Sequence, residues 1–189
     1  MPAAKKLTLC IDIGGTGIKG LVVNEAGKPV TERVRIETPR PATPEAVLTV
    51  VEQIAAKSGP FDRVAVGFPG VVSQGITKTA PNLHDTWAGF DLDRTLEKRL
   101  KKPVRAANDA AVQGLGAISG KGLEMVVTLG TGLGCALYLD GRLAVPMEMA
   151  HHPFRKGKTY EECLGKRALE DDGKKKWNKR LAEAIEMLS

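Results

Sequence analysis

Asp12 closes a short apolar run and is followed by Gly14-Gly15-Thr16-Gly17 and then Lys19. Backbone N–H groups in a glycine-rich turn can converge on phosphate oxygens. A carboxylate at the strand end can reach a magnesium ion or its waters, and a lysine adds a point charge. A plain hairpin turn is the competing reading of the same residues. The pattern recurs as Gly130-Thr131-Gly132, with Gly134 close behind, again between two apolar runs. Two equivalent loops favour phosphate binding and point to a duplicated lobe. Gly15-x-Gly17-x-x-Gly20 also matches the dinucleotide fingerprint in letters, but that fingerprint needs a helix after the glycines, and Leu21-Val22-Val23 predicts a strand.

A second candidate is Asn108-Asp109, placed between the apolar segment at Val104 and an alanine-rich stretch. At the N-terminus of a helix a carboxylate stays ionised and can accept a proton from a hydroxyl. Either residue could instead serve only as the helix cap. Asn82 follows Pro81 in an irregular stretch; its amide can both donate and accept, as sugar hydroxyls require, and it can equally be a turn former.

These residues need elements to position them. Leu7–Ile13, Lys19–Asn24 and Val30–Ile36 predict a three-stranded meander. Thr43-Pro44-Glu45 supplies an N-cap, a first-turn proline and an early acid, and Val47, Val51 and Ile54 follow at helical spacing. A strand over Arg63–Phe68, an irregular stretch over 76–91, a helix over Leu92–Leu100, a strand over Val104–Ala107 and a helix over Asn108–Ile118 follow. Met125–Leu129, Cys135–Leu139 and Arg142–Val145 predict a second meander, and the basic remainder a helical tail striped by Trp177, Leu181, Ile185 and Leu188. The order implies an α/β chain of two lobes, 1–119 and 120–189.

Bulk properties agree with a folded chain. The 189 residues are 42% hydrophobic, enough for a core, and the 21 glycines suit tight turns beside a ligand. A net charge of +6 suits an anionic partner, while 4% aromatics argues against a nucleic-acid stacking platform. The three cysteines are far apart and odd in number, so Cys10 and Cys135 read as buried free thiols. The N-terminal apolar run is too short for a signal peptide or a membrane span, which makes the cytoplasm the default compartment.

Taken in order, Asp12-Ile13-Gly14-Gly15-Thr16-Gly17-Ile18-Lys19-Gly20 resembles the first phosphate motif of the sugar kinase–actin–heat-shock ATPase superfamily, and Leu129 to Gly134 its second. The segments Glu37 to Pro44, Phe68-Pro69-Gly70-Val71-Val72 and Thr79-Ala80-Pro81-Asn82 are similar to those of polyphosphate glucokinases within the ROK group. The resemblance implies two ribonuclease-H-like lobes with mixed sheets around a cleft. It also implies phosphoryl transfer from ATP or inorganic polyphosphate, with Mg2+, to the 6-hydroxyl of glucose or a related hexose.

Carried over residue by residue, the resemblance makes Asp109 the catalytic base. It assigns Gly70, Val71, Asn82, Asn108, Asp109, Glu148 and His151 to the sugar. It assigns Asp12, Gly14, Gly15, Thr16, Gly17, Lys19, Gly130, Thr131, Gly132 and Gly134 to the donor, with Asp12 facing the metal. Glu148-Met149-Ala150-His151 departs from the family's Glu-x-Gly-His by one alanine. Cys163 stands alone where many relatives carry a zinc cluster, so no zinc site is expected. The family also implies homodimers, and no nucleic acid or membrane partner.

Two alternatives remain within this resemblance: a sugar-binding regulator without kinase function, and an actin-like ATPase. The lysines and arginines between Lys156 and Arg180 read first as a solvated surface and secondly as a track for a polyanionic donor. The second lobe carries three strands followed by basic helical sequence, so its sheet is expected to be incomplete and the Trp177–Leu188 stripe exposed.

Overall fold

A computed structural model of the chain describes residues 6–130, 132–147 and 149–188. The chain divides into two compact units, Met1–Val112 and Gln113–Ser189.

In the first unit β1 (Thr8–Ile13), β2 (Gly17–Val23) and β3 (Val34–Glu37) form the meander, followed by α1 (Pro44–Lys57) and β4 (Arg63–Phe68). A small hairpin, β5 (Val72–Ser73) with β6 (Ile76–Thr77), precedes α2 (Leu92–Leu100), β7 (Val104–Asn108) and α3 (Asp109–Leu115). The five-stranded sheet has the order β3-β2-β1-β4-β7. β2 and β3 run antiparallel to their neighbours, whereas β1, β4 and β7 are mutually parallel. The carboxyl ends of three parallel strands therefore open at one edge, where α/β sheets present their ligand sites.

Local chemistry explains the elements. Thr43 caps α1, its hydroxyl accepting from the Ala46 N–H at 3.4 Å, and Val47, Leu48, Val51 and Ile54 form the buried face. Gly20 lets that helix lie on the sheet: a Cβ there would stand 2.5 Å from Ile54 Cγ2 and 2.8 Å from Ile11 Cδ1. The third glycine of the apparent dinucleotide fingerprint is thus a packing residue inside β2, and no helix follows the loop. Asp91 caps α2 by accepting from the Arg94 N–H at 3.1 Å, and Arg99 ties α2 back to Glu45 and Glu52 of α1.

The stretch expected to be irregular is more ordered than its sequence suggested. Thr77 N–H donates to the Phe90 carbonyl and Gly89 N–H to the Thr77 carbonyl, and a 3-10 turn at Asp85–Trp87 seats Trp87 fully buried between Phe68 and Phe90. Its indole N–H donates to the Ala42 carbonyl at 2.9 Å. Two-residue strands carry no hydrophobic period, which is why β5 and β6 escaped sequence reading.

In the second unit β8 (Leu123–Leu129), β9 (Leu133–Leu139) and β10 (Arg142–Met147) form an antiparallel sheet of order β10-β9-β8. A hairpin of β11 (Pro153–Arg155) and β12 (Lys158–Thr159) leads into α4 (Tyr160–Leu164), α5 (Lys166–Asp172) and α6 (Lys174–Leu188). Thr159 and Glu162 form a reciprocal capping box on α4. The core here gathers Leu133, Cys135, Tyr160, Cys163, Leu164 and Ala184, with Leu181 and Leu188 packed against it.

The expected tail stripe is corrected in two places. Trp177 is half-buried, its indole N–H donating to the Leu164 carbonyl at 2.9 Å. Ile185 points outward and Ala184 takes the buried position, because the helix turns every ~3.6 residues and positions spaced strictly by four drift off the buried face. Cys10 is only half-buried, unlike Cys135 and Cys163. Among the described residues no helix is long and apolar enough to cross a membrane.

Candidate active site

Within the first unit the predicted residues gather at the carboxyl ends of β1, β4 and β7. Asp12 pairs in register with Lys19 on β2 and with Gly67 on β4, and Phe68 pairs with Asn108 on β7. Lys19 Nζ donates to Asp12 Oδ2 at 3.0 Å, both side chains being about 40% exposed, at 39% and 42%. A half-exposed pair of this kind orients more than it stabilises.

The glycine loop joins β1 to β2. Gly14 N–H donates to the Gly17 carbonyl at 3.2 Å, closing the turn, and a Cβ on Gly14 would stand 2.8 Å from that same oxygen. Glycine is needed there for close approach of backbone to backbone. The carbonyl oxygens of the loop are engaged from outside. Gly14 O accepts from Thr38 Oγ1 at 2.5 Å, Gly15 O from Arg40 Nη2 at 3.4 Å, and Thr16 O from Arg35 Nη2 at 3.5 Å. The N–H groups of Gly15 and Thr16 donate to no acceptor among the described residues.

The opposite wall is built on Gly70, Val71 and the 78–82 loop. Val71 N–H donates to Thr79 Oγ1 at 3.1 Å, and Lys78 N–H to the Val71 carbonyl at 2.7 Å. A Cβ on Gly70 would collide with the Thr79 carbonyl, so the two segments touch backbone to backbone. Asn82 is exposed and its Cβ lies 3.3 Å from where a Gly15 Cβ would be, which sets this residue beside the glycine loop.

Asn108 and Asp109 complete the group at the start of α3. Asn108 takes the capping job weighed from sequence, its Oδ1 accepting from Ala111 N–H at 3.1 Å, and its Nδ2 also donates to the Gly70 carbonyl at 3.2 Å. Asp109 Oδ1 accepts from Ala110 N–H at 2.8 Å. Burial pushes the Asp109 carboxyl above the ordinary carboxylate range; the Ala110 N–H opposes the shift and the nearby Asp12 charge adds to it. A partly desolvated carboxylate with a raised proton affinity is suited to accepting a proton from a hydroxyl.

The second unit carries its own loop between β8 and β9. Gly130 N–H donates to the Gly132 carbonyl at 3.0 Å, and Lys166 N–H to the Gly130 carbonyl at 3.0 Å; Leu133 and Gly134 pair with Leu129 and Thr128. His151 is exposed, ending a 3-10 turn at Met149–His151. Thr131 and Glu148 lie outside the described residues. Sequence reading counted Glu161 among the tail acids, yet its carboxylate covers Gly132, where a Cβ would clash with it. Thr38, Arg35 and Arg40 were likewise missed as loop partners. Register alone would have flagged Arg35, because it pairs with Lys19, which pairs with Asp12. Among the described residues no cluster of three metal-binding side chains occurs.

Comparison with known proteins places this geometry. The polyphosphate glucokinase of Mycobacterium leprae is 35% identical over 149 residues, 75% of this chain and 46% of that protein. That of Mycobacterium tuberculosis (strain ATCC 25618 / H37Rv) is 34% identical over 185 residues, 93% of this chain and 69% of its own length. The chain thus spans roughly half to two thirds of these relatives. The crystal structure of the inorganic polyphosphate/ATP-glucomannokinase from Arthrobacter sp. strain KM superposes with a TM-score of 0.77 at 38% identity, covering 89% of this chain and 71% of that one. A ROK family glucokinase from Streptomyces griseus, solved with glucose and AMPPNP, gives 0.73 at 27% identity over 86% of this chain and 58% of its own. These neighbours share the mixed α/β fold expected from the paired glycine loops. With the ROK family model matched over residues 8–153, this chain belongs to the ROK family.

Proposed function

We propose that the chain provides the sugar and donor-phosphate sites of a hexose kinase that phosphorylates the 6-hydroxyl of glucose or a related hexose from polyphosphate or ATP. The observation that carries this reading is the meeting, at one sheet edge, of the glycine loop, Asp12, the Gly70–Thr79–Asn82 wall and Asn108-Asp109. Phosphoryl transfer asks for positioning, charge neutralisation and a group that orients the attacking hydroxyl, and each has a candidate here. Relatives named for glucose, mannose and polyphosphate support the substrate classes.

In this scheme the sugar hydroxyl gives its proton to the Asp109 carboxylate as its oxygen bonds to the terminal phosphorus. The bond from that phosphorus to the bridging oxygen breaks, and the shortened polyphosphate or nucleoside diphosphate departs with the electron pair. In the first unit Asn82 and Asn108 orient the sugar, and the N–H groups of Gly15 and Thr16 with Lys19 hold the donor. The family resemblance also assigns Glu148 and His151 to the sugar, and Gly130, Thr131, Gly132 and Gly134 to the donor. Asp12 fits Mg2+, a hard cation that keeps several waters and takes one or two carboxylates plus substrate phosphates. When bound, the ion would neutralise donor charge.

A panel of hexoses crossed with ATP and long-chain polyphosphate, with phosphorus NMR of the products, tests the reading. Glucose 6-phosphate from at least one donor is the expected outcome. Sugar binding without transfer from either donor would favour a regulator, and nucleotide-dependent filaments in a sedimentation run would favour an actin-like role.

A further inference from the structure

The first glycine loop owes its shape to residues outside it. Three consecutive carbonyls, Gly14, Gly15 and Thr16, accept from Thr38, Arg40 and Arg35, all on β3 or the segment just after it. A second hold on Thr16 O comes from the Thr38 N–H at 3.4 Å. In a planar trans peptide the carbonyl oxygen and the following N–H point in opposite directions. Fixing Gly14 O therefore aims the Gly15 N–H the other way, and fixing Gly15 O does the same for Thr16 N–H. These are the two N–H groups that find no acceptor among the described residues. Unpaired neighbouring N–H groups turned to one side form a concave anion site.

The partners are suited to this work. Thr38 is buried, and its 2.5 Å contact with Gly14 O is the one side-chain hydrogen bond its hydroxyl makes among the described residues. Arg40 and Arg35 are exposed and form no ion pair among the described residues, so their charge is not spent on a carboxylate. A guanidinium on a carbonyl makes a charge-assisted bond and polarises the peptide, strengthening its N–H as a donor on the far side. The Arg35 guanidinium also lies against the Gly17 backbone, 2.8–3.0 Å from where a Cβ would stand, a position open only because that residue is glycine.

We infer that Thr38 and Arg40 are positioning residues of the donor site: they hold the Gly14 and Gly15 carbonyls outward so that the Gly15 and Thr16 N–H groups face the terminal phosphate of a linear condensed phosphate. The inference rests on the reading of this loop as a donor site, and it adds how the loop is made competent and by which side chains. Free inorganic polyphosphate and the triphosphate of a nucleotide share this chemistry.

The test uses the full 189-residue chain, with inorganic tripolyphosphate and AMPPNP as separate probes and glucose as a control. Amide NMR of the wild type should show the Gly15 and Thr16 resonances moving on titration with tripolyphosphate. Thr38→Val keeps the shape and removes the hydroxyl; it should raise the tripolyphosphate Kd about tenfold, the loss expected for one hydrogen bond of ordinary net worth. Thr38→Ser should restore binding to within about twofold, since the hydroxyl returns. Arg40→Met should weaken binding most at low salt, and Arg40→Lys, which keeps the charge but not the guanidinium fork, should lie between Met and the wild type. Glucose affinity should change in none of them. Losses seen with AMPPNP as well assign the site to triphosphates in general, and losses with tripolyphosphate alone assign it to the inorganic polymer. Wild-type tripolyphosphate affinity in Thr38→Val and Arg40→Met, or Gly15 and Thr16 amides silent to both probes, overturns the inference. A wild type whose loop amides respond but which phosphorylates no hexose overturns the kinase reading and leaves this one standing.

Discussion

Asp109 is the residue whose environment makes opposite demands on chemistry and on stability. Its carboxyl is held above the ordinary range chiefly by burial, so the folded state binds that proton more tightly than the unfolded chain. A group raised in this way contributes stability that is complete below its unfolded pKa and is lost as pH rises through the folded value. At neutral pH the ionised Asp109 is therefore a cost to folding. Asp109→Asn should lower kcat by about 10²–10⁴-fold, the range for a lost general base, while sugar affinity changes little. The same variant should melt higher than the wild type at pH 7, with the gap closing on acidification past about pH 4, the ordinary aspartate range. Activity within a few-fold of the wild type would remove Asp109 from the base role, and a variant that melts lower at pH 7 would refute the account of its environment.

Gly70 offers a second test at this scale. An added methyl would meet the Thr79 carbonyl, so Gly70→Ala must push apart the two segments of the sugar wall. The overpacking should cost about 1–3 kcal/mol. Glucose KM should rise several-fold, with donor KM little changed; a donor-side effect instead would move this wall to the other substrate. The positions of Asp12, Asn108 and Asp109 were legible in the sequence because the first two stand at the ends of strands and Asp109 follows directly as α3 begins, where chain order fixes position. Thr38, Arg35, Arg40 and Glu161 were not, because their contacts join residues far apart in sequence and no local pattern records which carbonyl a guanidinium reaches.

At the scale of elements, chain punctuation was the reliable guide. Thr43-Pro44 starts α1 where the cap predicts, α2 spans the Leu92–Leu100 stretch read as a helix, and the strand reading of Leu21-Val22-Val23 rejected the dinucleotide fingerprint correctly. The short hairpin and the Trp87 turn were opaque because tertiary contacts, not periodicity, order them. Trp87 joins α1 to the sugar loop: its ring packs on Phe68 at the end of β4 and on Phe90, while its indole N–H holds Ala42 O before α1. Trp87→Phe takes the indole donor from the Ala42 carbonyl, which keeps the His84 N–H at 3.4 Å, so the variant should lose about 0.5–1.5 kcal/mol, the net worth of one hydrogen bond. Urea unfolding of the variant measures it. Because the same turn anchors the loop bearing Asn82, glucose Kd should rise as well; a stability loss with unchanged glucose Kd would show that the loop is ordered by its other contacts.

At the scale of the whole molecule the two units differ in what holds them. The first buries Leu9, Ile11, Ile13, Val66 and Phe68 in the sheet, and Val47, Leu48, Val51, Ile54, Leu92 and Leu96 on the helices against it. The second has the smaller cluster around Leu133, Tyr160 and Leu164, and its sheet leaves Leu123 at 68% and Leu139 at 52% exposed, so less apolar surface leaves water per residue ordered. Local unfolding free energies follow such differences. The second unit should therefore open at lower urea than the first. The chain has two tryptophans, Trp87 in the first unit and Trp177 in the second, so fluorescence can follow each unit. Wild-type emission should change in two steps. In Trp177→Phe only the upper step should remain, at the wild-type midpoint, because Trp87 sits in the larger core. Native-state hydrogen exchange should agree, with β1 and β4 amides the most protected and those of β8 and β10 exchanging earlier. A single wild-type transition that coincides with that of Trp177→Phe would mean that the two cores unfold as one cooperative unit, and the difference in buried surface would then not set the order of opening.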